Sequence, residues 1–336
     1  MKIEYGVTAG FDGKTVYVNG VPRDAEPVMI ACGAEVNVPD VPGADLAGTY
    51  TARTIRSMQE LPEQMAIIGG GISAAEFAYI FSAFGVEVSL FARHDLLSML
   101  PERMHKTVRQ DLSLVKIYAH RPLECVIGSE RVESIVTGGE MFPCDAVLFA
   151  TGMRPTSPHV SGVLKNADGS IAVNERMETS TSGVYACGDV LGAPYFTPVA
   201  RMQGFVAADA ILGKPRTADL SRIPFTVVLG LGYTVCPTAG ESGQTFSSPN
   251  IAGPDSVWYV QDGSVGTMDL TVDPASGRIL GFASSGQDTS IVGTYLGYLV
   301  RKGVTVHEFS PMLEVHPIPD GLYSMIRFVD GQIGKR

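Results

Sequence analysis

The stretch 61–93, LPEQMAIIGGGISAAEFAYIFSAFGVEVSLFAR, constrains the fold more than any other part of the sequence. A short apolar run ends at three consecutive glycines, apolar residues then recur at helical spacing, and a second apolar run follows Gly85. Strand, glycine turn, helix and strand in this order predict the βαβ unit of a dinucleotide-binding fold. The alternative is a glycine-rich turn without a function, and the complete βαβ frame argues against it.

Three small residues have distinct roles in such a turn. Gly69 permits the tight turn, Gly71 lets backbone N–H groups approach a pyrophosphate, and Ala74 lets the helix lie close to the strand. The N-terminus of the helix would face the phosphates with its partial positive charge. We therefore expect Gly69, Gly71 and Ala74 to belong to a dinucleotide site.

The residues after the second apolar run indicate which dinucleotide binds. NAD sites usually carry an Asp or Glu about 20 residues beyond the glycines, where it holds the ribose 2′-hydroxyl. Here the run ends in Arg93 and His94, and the first carboxylate is Asp95. A guanidinium can bind a 2′-phosphate bidentately, whereas a carboxylate repels it. The sequence favours NADPH, with NADH as the alternative, unless Arg93 is merely a solvated strand-end arginine.

Composition narrows the class of protein. A chain of 336 residues suggests two or three domains. A net charge of −10 with 18% charged residues argues against a nucleic-acid footprint or a polybasic membrane patch, so small molecules or proteins are the expected partners. No apolar run approaches the roughly 20 residues of a membrane span, and the start lacks the layout of a signal peptide. We expect a cytoplasmic protein.

The cysteines and histidines give no sign of a disulfide framework or a metal site. No CxxC or CxxxxC occurs, so the five cysteines are predicted to be reduced thiols, mostly buried. They are Cys32, Cys125, Cys144, Cys187 and Cys236. The six histidines show no ligand spacing, which argues against a metalloenzyme.

Other segments predict short strands and a few helices. Asn19-Gly20 predicts a tight hairpin turn, and the apolar strand at 27–32 has no helix of its own, so its sheet must be completed elsewhere. A helix is predicted at 104–114, and strands at 116–119, 145–150, 184–187, 225–229, 256–260, 268–272 and 278–282. Further helices are predicted from Thr197, at 289–302 and at 321–329. The first of these has a predicted buried stripe of Ala200, Phe205, Ala208 and Ile211.

Several motifs together resemble a known family. They are ACG and VPDVPG at 31–43, IIGGGISAAE at 67–76, FARHD at 91–95, FATGMRP at 149–155, TSTSGVYACGD at 179–189, TPVA at 197–200 and VHPIPDG at 315–321. Their order and spacing resemble the flavin-dependent pyridine nucleotide-disulfide oxidoreductases, the group of glutathione reductase, lipoamide dehydrogenase and mercuric reductase. The resemblance extends over nearly the whole chain.

The resemblance implies a flavin site. Asp189 would hydrogen-bond the ribityl chain of FAD, and the helix that begins at Thr197, Pro198, Val199 and Ala200 would point its N-terminus at the pyrimidine end of the isoalloxazine. Gly152 and Gly188 would also contact a cofactor, and Glu76 would lie near the nicotinamide. An ordinary Gly-Asp turn is the alternative for Asp189.

The sequence also departs from the family pattern. The family begins with a GxGxxG that holds the ADP half of FAD and a redox-active CxxxxC, and neither motif occurs here. The family's C-terminal histidine, oriented by a glutamate, protonates a thiolate across a dimer interface. His316-Pro317 is present, but Gly321 stands at the glutamate position and Asp320 precedes it. His316 is therefore either a catalytic base or a structural residue.

The predicted fold class is α/β: a Rossmann-like NAD(P)-binding domain (51–145) inserted in a partial FAD-binding domain (1–50 and 146–220), followed by an α+β dimerisation domain (221–336). The predicted function is that of an FAD-dependent NAD(P)H oxidoreductase and homodimer, with a small-molecule electron acceptor that the sequence does not identify. One alternative is a nucleotide-binding subunit whose FAD half comes from a separate polypeptide. Another is an inactive, truncated family member.

Overall fold

The structure is a computed structural model that describes residues 2–217, 219–248, 266–313 and 322–333. The predicted strand at 256–260 lies outside these ranges, and so do His316, Asp320 and Gly321.

The strands are mostly short. They are β1 (Ala9–Phe11), β2 (Val16–Val18), β3 (Val21–Arg23), β4 (Val28–Ile30), β5 (Ala34–Val36), β6 (Thr49–Thr51), β7 (Gln64–Ile68), β8 (Glu87–Ala92), β9 (Lys116–Ala119), β10 (Leu123–Ile127), β11 (Ser134–Thr137), β12 (Glu140–Pro143), β13 (Ala146–Phe149), β14 (Met153–Pro155), β15 (Val184–Ala186), β16 (Phe225–Val228), β17 (Gly232–Cys236), β18 (Gln244–Ser248), β19 (Thr267–Val272) and β20 (Ile279–Gly286).

The α-helices are α1 (Ile72–Ala83), α2 (His105–Asp111), α3 (Thr197–Ile211), α4 (Thr289–Lys302), α5 (Val306–Phe309) and α6 (Leu322–Ile333). Single turns of 3-10 helix occur at Ile55–Ser57, Glu102–Met104 and Asp189–Leu191. The predicted bounds of α4 are confirmed, and its last turn ends at a glycine with a φ of 71°, a common helix stop. The helix predicted at 104–114 is shorter than expected.

The chain divides into two compact units. The first unit contains Met1–Asn37 and Gly152–Leu220, and the second contains Val38–Thr151 and Ser221–Arg336. Residues 38–151 are thus inserted into the chain of the first unit. The predicted nucleotide-binding and C-terminal segments belong to one compact unit, and the three-domain division with its boundaries stays a prediction.

The first unit contains small sheets. β4 pairs in parallel with β15, so the early strand is completed by residues about 150 positions later, as predicted. β5 pairs with β14, and β1, β2 and β3 form an antiparallel meander. The hairpin turn is also confirmed, because Asn19 and Gly20 have φ angles of 50° and 78° between β2 and β3. Apolar residues of β4 and β15 lie in the core of this unit.

The predicted buried stripe of α3 was wrong. Phe205 is 54% exposed, and the buried residues are instead Val199, Gln203, Val206, Ala207 and Ala210. The buried face includes Gln203, whose side-chain oxygen accepts a hydrogen bond from the backbone N–H of Gly188 at 2.8 Å. A buried glutamine satisfied in this way is invisible to a pattern of apolar residues.

The second unit contains a parallel sheet with the order β6-β13-β7-β8-β9. Every neighbouring pair in it is parallel, and α1 contacts both β7 and β8. A separate antiparallel sheet, β10-β11-β12, lies in the connection from β9 to β13. The predicted α/β class with a Rossmann-like sheet is confirmed.

The second unit continues into an antiparallel sheet with the order β16-β17-β20-β19-β18. The sequence did not predict β17 and β18. Residues of β16 and β17 share one hydrophobic cluster with α1 and α2. Asp111, at the end of α2, accepts hydrogen bonds from Leu231 N at 2.9 Å and from the Tyr233 hydroxyl at 2.8 Å. Burial raises the pKa of Asp111 despite these bonds.

Candidate nucleotide-binding site

The glycine turn between β7 and α1 needs its first glycine. Gly69 has a φ of 148°, a conformation that residues with a Cβ rarely adopt. A Cβ on Gly69 would lie 2.2 Å from the carbonyl oxygen of Ala150, the residue that follows β13, and 3.2 Å from the Cβ of Ala74. Its N–H donates to Phe91 O at 2.9 Å. Gly69 therefore lets three neighbouring segments meet at one point.

Gly71 differs from Gly69, because it leaves open space at the start of α1. It is the N-cap residue of α1, with φ −92° and ψ −170°, and a Cβ there would meet no protein atom within 4 Å. No side chain caps the helix, and its first turn carries no acidic residue. The first N–H groups of a helix have no partner inside the helix. The space beside Gly71 and these donors fit a pyrophosphate.

Ala74 allows α1 to pack closely on β7. It lies in the first turn of α1 and is fully buried. A side chain larger than alanine at position 74 would push α1 away from β7. The Ala74 Cβ already lies only 3.2 Å from the point where a Cβ added to Gly69 would stand. The predicted roles of Gly69, Gly71 and Ala74 fit the geometry of the turn.

The loop after β8 lies against the glycine turn. Leu97 N donates to Gly70 O at 2.8 Å, and a Cβ on Gly70 would lie 3.1 Å from Ala92 Cβ and 3.5 Å from Asp95 O. Arg93 and His94 are exposed in this loop. Within the part of the chain that the structure describes, neither side chain forms a hydrogen bond or an ion pair. Both remain available to an anionic ligand.

Asp95, in contrast, is engaged. Its Oδ1 lies 3.1 Å from Nε2 of His120, which directly follows β9. Because a carboxylate only accepts, Nε2 is the donor. His120 has a φ of 58°, which a residue with a side chain adopts only at some cost. Sequence reasoning missed His120. The carboxyl ends of neighbouring parallel strands share one edge of a sheet, and this rule could have placed His120, which follows β9, near Arg93, which follows β8.

Glu76, on the second turn of α1, contacts the C-terminal sheet of its unit. Its Oε1 accepts a hydrogen bond from Val228 N at 3.0 Å. The carboxyl is half-buried, and this burial raises its pKa, while the hydrogen bond from Val228 lowers it by less. The predicted proximity of Glu76 to a nicotinamide stays a prediction.

The first unit contains the remaining predicted cofactor residues. Gly188, with a φ of 81°, follows β15, and Asp189 begins a single 3-10 turn. The Asp189 side chain is half-buried and accepts no hydrogen bond from the described residues. Gly152 has a φ of 91°, and its carbonyl accepts from Asn37 N at 2.9 Å. Among the described residues, the Asp189 carboxylate therefore remains available to accept a hydrogen bond from a ligand hydroxyl.

The N-terminus of α3 is also uncapped. The helix begins at Thr197, with Pro198 in its first turn, and its N-cap residue Phe196 makes no side-chain hydrogen bond. No acidic residue lies in the first turn. Val199 is buried and faces the unit's interior, whereas Thr197 and Pro198 are exposed. The partial positive charge of this helix end fits an electron-rich group.

The sequence model of the "Pyridine nucleotide-disulphide oxidoreductase" family matches residues 3–204. The chain belongs to this family. It is 28% identical over 331 residues to the mercuric reductase of Staphylococcus aureus, covering 92% of the chain and 60% of that relative. It is also 28% identical over 330 residues to the glutathione reductase of Pisum sativum, covering 91% and 58%. The chain thus spans about three-fifths of the length of these curated relatives.

Solved structures show the same fold at lower identity. The HOCl-induced flavoprotein disulfide reductase RclA from Escherichia coli superposes with a TM-score of 0.84 at 21% identity, covering 95% of this chain and 77% of that one. A NAD-dependent persulfide reductase from A. fulgidus gives 0.78 at 23% identity, covering 97% and 68%. These similarities establish the fold of the chain.

Two cysteines of this family member lie near the ends of β4 and β15. Cys32 is exposed, and its Sγ donates to Thr156 O at 3.2 Å. Cys187 is partly buried, and burial raises the pKa of its thiol. A raised pKa disfavours the reactive thiolate, so Cys187 resembles a structural thiol.

The structure places the predicted site residues in two groups. Gly69, Gly71, Ala74, Arg93, His94 and Glu76 lie in the second unit, and Gly152, Gly188, Asp189, Thr197, Pro198, Val199 and Ala200 lie in the first. His316 lies outside the described residues. Over the described ranges, no cluster of three or more metal-ligating side chains was found, and no helix is long and apolar enough to cross a membrane.

Proposed function

We propose that the chain binds NADPH at the glycine turn of its second unit and is an FAD-dependent NAD(P)H oxidoreductase. One observation carries the nucleotide part of the proposal: the α1 helix end at Gly71 has no side-chain cap, and it lies beside a loop whose Arg93 has no partner among the described residues. The backbone donors suit the pyrophosphate. The Arg93 guanidinium suits the additional 2′-phosphate, because it can donate two parallel hydrogen bonds to one phosphate.

The first unit would hold the flavin. FAD, when bound, accepts a hydride from the nicotinamide and carries negative charge at its pyrimidine end. Asp189 would accept a hydrogen bond from a ribityl hydroxyl, and the N-terminus of α3 would stabilise the negative charge. The free carboxylate and the uncapped helix end support these two roles.

The electron acceptor is proposed only as a small molecule. No CxxxxC occurs among the 336 residues, so these residues do not identify a disulfide as the acceptor. We also propose a homodimer, by analogy with the family, in which His316 would serve as a base at the second subunit's site. Orientation of the two rings by the protein would lower the barrier to hydride transfer.

A second candidate function follows from the glycine pattern. Gly69–Gly71 is the site's dinucleotide motif, and no comparable motif for the ADP half of FAD follows a buried strand in this sequence. The chain would then be a nucleotide-binding subunit that obtains its FAD-binding half from a separate polypeptide. Copurification of a smaller flavoprotein with a GxGxxG motif would support this candidate.

The test is the visible absorption spectrum of the purified protein after incubation with FAD and removal of unbound FAD, recorded before and after anaerobic addition of NADPH or NADH. We expect a flavin band that NADPH bleaches faster than NADH. Arg93→Ala should reduce this difference, whereas Arg109→Ala should leave it unchanged. Arg109 is a matched control because it is an exposed arginine on α2 of the same unit.

The outcomes separate the two candidates. A protein that binds NADPH but acquires no flavin band with FAD would favour the subunit that needs a partner. A protein that binds neither cofactor would contradict both candidates. Equal bleaching by NADPH and NADH would contradict only the proposed preference.

A further inference from the structure

The residues around Arg93 contain a carboxylate that should oppose NADPH binding. Asp95 lies only two residues beyond Arg93, and its carbonyl oxygen is close to Gly70 of the glycine turn. A carboxylate at this edge of the sheet would repel a 2′-phosphate and favour a ribose 2′-hydroxyl. The predicted preference for NADPH over NADH therefore depends on whether the Asp95 carboxylate has a partner.

The structure gives Asp95 a partner from the next strand. In β8 and β9, Ala92 is in register with Ala119, and Arg121 N donates to Ala92 O at 2.9 Å. These contacts fix the backbone on both sides of His120. His120 Nε2 then lies 3.1 Å from Asp95 Oδ1.

Two residues at this pair have a left-handed backbone conformation: His120 itself, and Leu97, which lies two residues beyond Asp95. Leu97, which is fully buried, has a φ of 51°, and His120 has a φ of 58°. Residues with a side chain adopt this conformation only at some cost. Leu97 N also donates a hydrogen bond to Gly70 O at 2.8 Å, which ties the loop that carries Asp95 to the glycine turn.

We propose that His120 is a positioning residue for nucleotide specificity: its imidazole donates a hydrogen bond to the Asp95 carboxylate and holds it, so that the Arg93 guanidinium can bind the 2′-phosphate of NADPH. This inference rests on the proposed nucleotide function of the same site. It goes beyond that function because it assigns the preference to a pair of residues rather than to Arg93 alone.

The other charged groups near the pair do not replace His120. The Arg121 guanidinium lies 3.2 Å from Glu140 and 3.4 Å from the carbonyl oxygen of Thr137, so it is engaged elsewhere. Arg93 and His94 have no partner among the described residues. The side chains of His120 and Asp95 are 67% and 73% exposed, so their pairing contributes little to folding. A role in ligand choice is consistent with such an exposed pair.

The test measures dissociation constants for NADPH and NADH by isothermal titration calorimetry with the full chain. His120→Gly removes the imidazole and tolerates the φ of 58° without strain. We expect NADPH to bind about 5- to 10-fold more weakly and NADH to change by less than about twofold. In the Asp95→Asn background, the same substitution should change NADPH binding by less than about twofold, because no carboxylate remains for His120 to hold.

A matched control exists at the opposite ends of the same two strands. Lys116 and Glu87 form another exposed cross-strand ion pair at the start of β9 and β8. Lys116→Ala removes one partner of a similar pair and should leave both dissociation constants unchanged. This control separates nucleotide choice from a general effect on the sheet edge.

An unchanged ratio of NADPH to NADH affinity in His120→Gly would overturn the inference while leaving nucleotide binding intact. A loss that persists in the Asp95→Asn background would also overturn it, because His120 would then act without Asp95. If the unmodified chain binds NADH more tightly than NADPH, the inference and the predicted preference both fail. If it binds neither nucleotide, the proposed function itself fails.

Discussion

Two segments of the molecule use the same order of strand, glycine and helix in different ways. In the second unit, β7 passes through Gly69–Gly71 directly into α1. In the first unit, β15 passes through Gly188 and Asp189 into a 3-10 turn, and α3 begins only at Thr197. The first connection brings backbone N–H groups to the sheet edge, and the second brings a carboxylate there, followed by a helix end.

This difference corresponds to different ligand chemistry. A glycine turn without side chains permits close approach of a phosphate to backbone donors. A carboxylate accepts hydrogen bonds from hydroxyl groups, and a separate helix end stabilises negative charge on a ring. Neither helix start is capped by a side chain, whereas the short α5 has a complete capping box between Thr305 and Glu308. Substitutions in the two segments should therefore affect different measurements.

Gly69→Ala should have the largest effect on stability. The new methyl group would overlap the carbonyl oxygen of Ala150, and the φ of 148° is unfavourable for alanine. We expect a loss of about 2–4 kcal/mol in the free energy of unfolding. Urea denaturation followed by circular dichroism measures it. A stability equal to that of the unmodified chain would mean that the turn is not as tight as the geometry indicates.

Gly71→Ala should leave stability nearly unchanged but weaken nucleotide binding. A Cβ there meets open space, and its φ and ψ suit alanine, so we expect a change in stability of less than about 0.5 kcal/mol. The methyl group would occupy the space proposed for the pyrophosphate, and NADPH should bind about 10-fold more weakly or worse. Calorimetry with NADPH tests this. Unaltered affinity would place the pyrophosphate elsewhere.

Asp189→Asn should affect the flavin and not the nicotinamide nucleotide. Loss of a charge-assisted hydrogen bond to a ribityl hydroxyl should weaken FAD binding about 10-fold. Asp168→Asn is a matched control in the same unit, because the Asp168 carboxylate already accepts hydrogen bonds from Ser170. Fluorescence titration with FAD compares the two variants. Equal effects on FAD binding would indicate a general charge effect rather than a ligand contact.

The glycine turn and its helix could be predicted from sequence because the backbone itself dictates them. Gly69, Gly71 and Ala74 act through size and conformation, and both properties are legible in a short local pattern. His120 could not be found in this way, since its relation to Asp95 depends on the register of β8 and β9 rather than on sequence spacing. Hydropathy also misplaced the buried face of α3, because the buried Gln203 is satisfied by Gly188 N–H across a turn.

Glu76 on α1 and Gln203 on α3 form similar hydrogen bonds but differ in their response to pH. Each accepts a backbone N–H through Oε1, Glu76 from Val228 and Gln203 from Gly188, but only Glu76 titrates. Burial raises the folded-state pKa of Glu76 above its ordinary value of 4.5. A raised carboxyl pKa means that the folded state binds the proton more tightly than the unfolded state. The stability linked to Glu76 is therefore fully present below pH 4.5 and is lost as pH rises through the raised pKa.

Glu76→Gln should make α1 resemble α3 in this respect and should have the smallest effect. Glutamine retains an oxygen for Val228 N–H but has no charge to desolvate. The free energy of unfolding of the variant, relative to that of the unmodified chain, should therefore increase from pH 4 to pH 7. Because half of the side chain is in contact with solvent, we expect a total change of less than about 1 kcal/mol. Urea denaturation of both proteins at pH 4, 5, 6 and 7 measures the difference. A difference that is constant or decreases with pH would mean that the ionised carboxylate is stabilised by its hydrogen bond more than burial destabilises it.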